Sequence, residues 1–301
     1  MGTPVSMRVA ILGSTGGWHA ERLECALTAR GHDCGFAPVT RLVGRIEGGV
    51  ALHGGEIALD ACDVVLVRGI PRGSLEQVVF RVDALHALAA AGVRVVNGPR
   101  AIERTVDKFL ASALLAAAGV PTPRTIACER AGDALEAFRE LGSDVIVKPL
   151  FGSMGFGMAR VEDPDVAQRV FRALEVERAV YYLQETLPHD GEDVRAFVVG
   201  GRVLGAIARL GDGWRANLAR GAQARATRLT DEQERLCLRA AEAVGADYAG
   251  VDLLRAGDGR EYVLEVNGIP GWQGFERATG VDVAAALAGH VESLCRERAA
   301  A

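Results

Sequence analysis

Residues 251–274, V-D-L-L-R-A-G-D-G-R-E-Y-V-L-E-V-N-G-I-P-G-W-Q-G, constrain this chain more than any other stretch. Two apolar runs, 251–254 and 262–266, flank Asp258-Gly259. Asp-Gly between strand-like runs is the strongest short-range hairpin signal in a sequence. A two-residue turn centred there sets Asp252 directly opposite Glu265. Asn267 then shares the face of Glu265, because side chains alternate along a strand. Opposed residues stand about 4.5–5.5 Å apart at Cβ, and like charges there repel. Two carboxylates and an amide oxygen on one sheet face are a poor core. They suit a hard divalent cation such as Mg²⁺, which takes oxygen ligands and keeps phosphates as partners. The alternative is an acidic strand face turned to water.

The rest of the chain narrows the choice. Its 301 residues are enough for two or three packed units, and 49% hydrophobic residues argue for a large core over disorder. The net charge of −5, from 34 basic and 39 acidic residues, argues against nucleic acid or an anionic membrane as partner. No apolar run approaches the ~18 residues that span a bilayer, and M-G-T-P-V-S-M-R lacks a secretory leader pattern. Cys25, Cys34, Cys62, Cys128, Cys237 and Cys295 show no C-x-x-C pairing and read as reduced residues of a cytoplasmic protein.

In order, the pattern predicts an α/β (α+β) chain of three units. Residues 1–99 alternate strand and helix and read as a small parallel α/β domain. Its first strand runs into G-S-T-G-G, a turn that fits neither G-x-G-x-x-G nor a P-loop, but lies where open α/β sheets bind ligands. Residues 100–184 open on one helical run, 100–118, followed by Pro121 and Pro123, then strands around a helix and a glycine-rich segment. Residues 185–301 carry strands around Gly200-Gly201, a helix at 231–244, the hairpin, and a closing helix.

Lys148 ends the strand D-V-I-V-K and is followed by F-G-S-M-G-F-G. Gly152, Ser153, Gly155 and Gly157 leave backbone N–H groups open to an anion, and with a lysine they can hold a triphosphate. A lysine at a strand end also has the plainer role of reaching for solvent. Gln184-Glu185-Thr186-Leu187 ends another apolar run; a strand edge there offers its backbone to an adenine, and Glu185 or Glu192 a carboxylate to a ribose. An ordinary strand between units reads the same way. Arg195, in an otherwise apolar strand, is a charge clamp if a phosphate is near. Arg215, Asn217 and Arg220 form a second polar cluster suited to a developing acyl phosphate, or simply a charged loop.

The succession of Lys108, Lys148-Pro149, the glycine loop 152–157, Gln184-Glu185, Asp193-Val194-Arg195, Arg215-Ala216-Asn217, Gly250-Val251-Asp252 and Glu265-Val266-Asn267 resembles the ATP-grasp superfamily. It is most similar to the RimK-like α-L-glutamate ligase branch, with tetrahydromethanopterin-type ligases brought to mind by W-Q-G-F-E. The resemblance covers roughly residues 95–285 and implies an ATP-grasp fold behind an N-terminal parallel α/β domain. It implies that Lys108 and Lys148 bind ATP phosphates and that Glu185 with Leu187 marks the adenine hinge. It implies that Asp252, Glu265 and Asn267 hold Mg²⁺ or Mn²⁺, and that Arg195, Arg215 and Asn217 assist an acyl phosphate. The implied reaction is ATP-dependent amide formation between a small carboxylate acceptor and an amino acid, often L-glutamate. A ligase acting on a peptide or carrier protein is the alternative, and a non-catalytic nucleotide-binding regulator the third. A dimer or tetramer is compatible with the branch. Gly268-Ile269 and Trp272 depart from many relatives, and the N-terminal part matches only in general plan.

Overall fold

The computed structural model describes residues 6–14, 16–152, 157–211 and 223–300. The N-terminal part runs β1 (Arg8–Gly13), α1 (Trp18–Thr28), β2 (Asp33–Pro38), β3 (Leu42–Ile46), β4 (Val50–Gly54), β5 (Ile57–Ala58), β6 (Val64–Val67), α2 (Leu75–Ala90) and β7 (Arg94–Val96). Strands β2-β1-β6-β7 form a wholly parallel sheet, and β3-β4-β5 a small antiparallel ribbon beside it. β1 and β6 read as continuous apolar runs because both faces are covered. Val9, Ile11, Val64 and Leu66 pack against Leu23 and Leu27 of α1, whereas Ala10, Leu12, Val65 and Val67 pack against Leu85 and Leu88 of α2.

The central part comprises α3 (Pro99–Val106), α4 (Lys108–Ala117), β8 (Thr125–Cys128), α5 (Ala131–Glu140), β9 (Val145–Lys148), β10 (Ala159–Val161), α6 (Pro164–Val176) and β11 (Tyr181–Glu185). Its sheet, β10-β9-β11-β8, is antiparallel and backed by α5 and α6 through Phe138, Phe171 and Tyr181. The single helix expected over 100–118 is two. Asp107 leaves helical geometry (φ −90°, ψ 106°) and caps α4, its carboxylate accepting the N–H groups of Phe109 and Leu110 at 2.9 and 3.0 Å. The break places Lys108 in the first turn of the second helix. Strand β3, helix α6 and a short helix near residue 275 were not anticipated either.

The C-terminal part comprises β12 (Glu192–Val199), β13 (Arg202–Leu210), β14 (Gln223–Thr227), α7 (Asp231–Val244), β15 (Tyr248–Arg255), β16 (Glu261–Asn267), α8 (Gln273–Thr279) and α9 (Val283–Ala300). Its sheet is antiparallel, in the order β14-β13-β12-β15-β16. Alternation divides β12 between two cores. Ala196 and Val198 meet α4 and α7, whereas Phe197 and Val199 join Trp272, Phe275, α1 and α9. That second core fuses the C-terminal sheet to the N-terminal one. Asn97, fully buried after β7, completes the join: its amide donates to the carbonyls of Tyr248 and Gly268 at 2.7 and 2.5 Å and accepts the Tyr248 N–H at 3.0 Å.

The β15–β16 hairpin brings Asp252 opposite Glu265, but not by the expected turn. The loop has three residues, Gly257-Asp258-Gly259, closed by Gly259 N–H to Ala256 O (2.8 Å) and Ala256 N–H to Arg260 O (2.9 Å). Gly259 adopts the left-handed region (φ 84°) that such three-residue loops require. Beside the turn, Leu253 pairs with Val263, one step out of the expected register. A β-bulge then skips Leu264 and restores it, so Asp252 meets Glu265 and Gly250 meets Asn267. At the far end the strand packs so closely on α3 that a side chain at Gly268 would collide with the Thr105 hydroxyl.

Candidate active site

Two lysines are set by local backbone. Lys108, at the start of α4, donates to the Gly152 carbonyl at 2.7 Å and so holds the entrance of the glycine-rich loop. Lys148, at the end of β9, donates to Gln184 Oε1 at 2.5 Å. Gln184 is buried in β11, and its amide donates to Thr125 Oγ1 at 3.1 Å. Both cations therefore rest on neutral acceptors. Burial pushes the Lys148 ammonium down to about 8, with Glu265 opposing the shift and Lys108 adding to it. Burial likewise lowers Lys108, again opposed by Glu265. The two lysines, Ser112, Tyr182 and Glu265 line one crevice between α4, β9 and β16. Thus the hairpin face carrying Glu265 stands against the lysines.

Glu265 makes no hydrogen bond or ion pair with a described residue. Asn267 spends one lone pair of its amide oxygen on the Ile269 N–H at 3.0 Å. Asp252 differs. Its oxygens accept Arg195 Nε at 2.6 Å and Nη2 at 2.7 Å, and Arg209 Nη2 lies 3.1 Å away. Arg209 in turn grips Asp193 through two bonds of 2.6 and 2.7 Å. Burial opposes ionisation of Asp252, but the two guanidiniums outweigh it and hold its carboxyl below the usual carboxylate range. Asp252 remains an anion with lone pairs to spare. Glu265, Asn267 and Asp252 are an all-oxygen donor set, and they fit Mg²⁺ or another hard cation. No group of three or more His, Cys, Asp or Glu arranged for a metal occurs among the described residues, so the set depends on the amide of Asn267.

Other expected residues lie as follows. Glu185 turns its carboxylate to the Arg124 N–H at 2.8 Å, and Glu192 is paired with Arg225 at 2.7 Å. Leu187 is half-buried just beyond β11. Gly152 and Gly157 bound the loop, Gly157 with φ 76°. Ser153, Gly155, Arg215, Asn217 and Arg220 fall outside the described residues. Arg209 and the Asp193 carboxylate were not anticipated in this network. The signal was present, since Arg209 is the one charged residue within A-I-A-R-L, a strand segment otherwise without polar side chains.

Comparison with known proteins meets this geometry. A model of the RimK-like ATP-grasp domain matches residues 105–291. The chain belongs to the RimK-like ATP-grasp family. It is 35% identical over 311 aligned positions to the tetrahydromethanopterin:alpha-L-glutamate ligase of Methanosarcina acetivorans, covering 92% of this chain and 96% of that protein. A probable alpha-L-glutamate ligase of Xanthomonas euvesicatoria is 34% identical, with 97% and 100% covered. Among solved structures, the ATP-grasp ligase PsnB complexed with minimal precursor, Mg and ADP superposes with a TM-score of 0.74 at 25% identity, covering 95% and 97%. This RimK-like chain is an ATP-dependent ligase that forms C–N bonds, with an α/β fold. Among its described residues no helix is long and apolar enough to cross a membrane.

Proposed function

We propose that this chain uses ATP and Mg²⁺ to join L-glutamate to the carboxylate of a small cofactor or metabolite. The observation that carries the reading is the meeting of Lys108 and Lys148, each on a neutral acceptor, with Glu265 of the hairpin, which has no bonded partner among the described residues. Cations with no carboxylate partner keep their field for phosphates, and the acidic hairpin beside them takes the metal that phosphates share.

The chemistry divides between positioning and charge. Lys148 and Lys108 hold the triphosphate with the loop opened by Gly152. A carboxylate oxygen of the acceptor attacks the γ-phosphorus, the bond to the bridging oxygen breaks, and ADP leaves. The amine nitrogen of glutamate then attacks the acyl carbon; phosphate departs, and the nitrogen loses its proton as the amide forms. Asp252, Glu265 and Asn267 would hold the metal, whose contribution is to neutralise phosphate charge. Arg195, already on the hairpin face at Asp252, and Arg215 with Asn217 would steady the acyl phosphate. Glu185 and Leu187 would border the adenine, and Ser153, Gly155, Gly157, Gln184 and Glu192 complete the nucleotide contacts. Residues 1–99 would form a pre-ATP-grasp domain, with 100–184 and 185–301 the two grasping subdomains.

The test is product mass spectrometry and ADP release with ATP, Mg²⁺ and L-glutamate across reduced pterin cofactors, small dicarboxylates and peptides. A glutamylated pterin or small acid is the expected product. A glutamylated or cyclised peptide alone would instead support peptide ligation, a reading favoured by the likeness to precursor-bound PsnB. Absence of ADP release with every acceptor would overturn both.

A further inference from the structure

At the C-terminal edge of the parallel sheet, the loop after β6, R-G-I-P-R-G-S (68–74), carries two arginines and no acid. Its two ends are pinned. Arg68 donates to Tyr248 OH at 3.0 Å and to the Pro270 carbonyl at 2.9 Å, and its guanidinium lies 4.3 Å from the Trp272 ring centroid. At the other end Arg81, buried in α2, donates to the Pro71 carbonyl at 2.8 Å, and Ser74 caps α2 in a reciprocal box with Gln77. Between the pins stands Arg72. It is exposed and has no hydrogen bond or ion pair with a described residue. A side chain at Gly152 would come within 4.0 Å of its Nη2, so Arg72 stands beside the entrance of the glycine-rich loop.

A lone exposed arginine is usually a solvated one. Three things separate Arg72 from that case. Its loop is held at both ends by buried hydrogen bonds. It meets the loop whose other side is held by Lys108. The residues seen to touch the start of this loop, Ser14 beside Gly69 and Pro270 and Trp272 beside Arg68, bring no carboxylate. Arg68 also keeps a buried Nε–H without a partner among the described residues, so the loop holds donors beyond those its own packing uses. The triphosphate already has two lysines on the α4 and β9 side. A planar guanidinium carried by the N-terminal sheet matches a second kind of anion, a carboxylate gripped by two parallel bonds.

We infer that Arg72 binds a non-reacting carboxylate of a substrate, from the loop that ends β6 of the N-terminal sheet. This rests on the ligase reading for its purpose, but not for its test. The full-length protein, saturated with a non-hydrolysable ATP analogue and Mg²⁺, is titrated by calorimetry with L-glutamate and, separately, with glutarate. Arg72→Ala should weaken carboxylate binding about tenfold or more, as loss of a charge-assisted pair does, and Arg72→Lys should recover part of it. Affinity for the ATP analogue should stay within about twofold of wild type. A loss confined to L-glutamate assigns the site to the amino acid; a loss for glutarate, which has no amine, assigns it to the acceptor. Equal carboxylate affinity in wild type and Arg72→Ala, no saturable carboxylate binding in wild type, or a parallel loss for the ATP analogue would each overturn the inference. Failure of the ligase reading shows separately, as absence of ADP release by wild type.

Discussion

Two charged clusters meet at the β15–β16 hairpin, through Asp252 and Glu265, and are built on opposite plans. On the C-terminal sheet Asp193, Arg209, Asp252 and Arg195 neutralise one another through bonds of 2.6–3.1 Å. In the central part, Lys108 of α4 and Lys148 of β9 rest on the Gly152 carbonyl and the Gln184 amide, which carry no charge. Mutual pairing makes the first cluster a rigid strut between β12, β13 and β15. Neutral acceptors fix the second cluster's direction without using up its charge. The first plan braces three strands while leaving Asp252 lone pairs for a metal; the second leaves its whole charge to a ligand, and Glu265, without a bonded partner among the described residues, belongs with the second.

The widest separation between the plans should appear at Glu265. Glu265→Ala removes a carboxylate with no bonded partner among the described residues, so thermal stability should change little, within about 2 °C. Turnover should fall by roughly 10³-fold or more, the size of losing metal-borne charge stabilisation. Measured together, ADP release and a melting curve decide it; a large loss of stability would make Glu265 part of the strut. Arg209 should behave in the opposite way. Arg209→Met strips Asp193 of its bidentate partner and takes one cation from Asp252. Breaking a buried pair on one side costs about 3–5 kcal/mol, which urea unfolding reads directly. Adding Asp193→Asn should return part of that loss, and an additive double variant would deny that the pair is coupled.

At Lys148 the expected effect is smaller and depends on pH. Lys148→Met should weaken ATP binding about tenfold, the loss of one charge-assisted contact. The depressed ammonium also sets a window. A lysine at 10.5 keeps its charge through the neutral range, whereas one near 8 loses it as pH rises through 8. Binding of ATP without metal should therefore weaken between about pH 7 and 9 in wild type and not in Lys148→Met. Because Glu265 opposes the depression, Glu265→Gln should move that midpoint lower still. Calorimetry across this range checks all three, and a flat profile in wild type would remove the neutral-acceptor account of Lys148.

The sequence carried these plans unevenly. Local pairing was legible: alternation around Asp258-Gly259 set Asp252 against Glu265. It did so through two compensating departures, a three-residue loop and a bulge at Leu264, neither of which residue pattern distinguishes from a plain two-residue turn. The break before Lys108 was hidden because the periodicity of 100–118 continues across it, and only the capping geometry of Asp107 reveals two helices. The Asp193–Arg209–Asp252–Arg195 strut depends on which strands are neighbours, which composition does not state. Arg72 was invisible for the same reason, since Gly152 is eighty residues away in sequence and adjacent only through the packing of separate sheets.

His19 offers the finest test, because it repeats the neutral-acceptor plan beside a third cation. Its Nε2 accepts the Trp272 N–H at 3.1 Å, and its ring stands edge-on to Trp272 at 4.6 Å. Burial, then the nearby Arg68, lowers it to about 4 from 6.5. The sign follows from proton counts. Between about pH 4 and 6.5 the unfolded chain binds a proton at this position that the folded chain refuses, so stability rises with pH across that window. Below pH 4 the loss is complete, and above 6.5 it vanishes. His19 is only half-buried, so solvent screening keeps the effect modest. His19→Gln keeps an acceptor for Trp272 but cannot gain a proton. Urea midpoints at pH 5 and pH 7 should therefore lie closer together in His19→Gln than in wild type. If the two proteins shift equally, His19 is not held neutral by its place beside Arg68, and the resemblance between this corner and the lysine cluster is superficial.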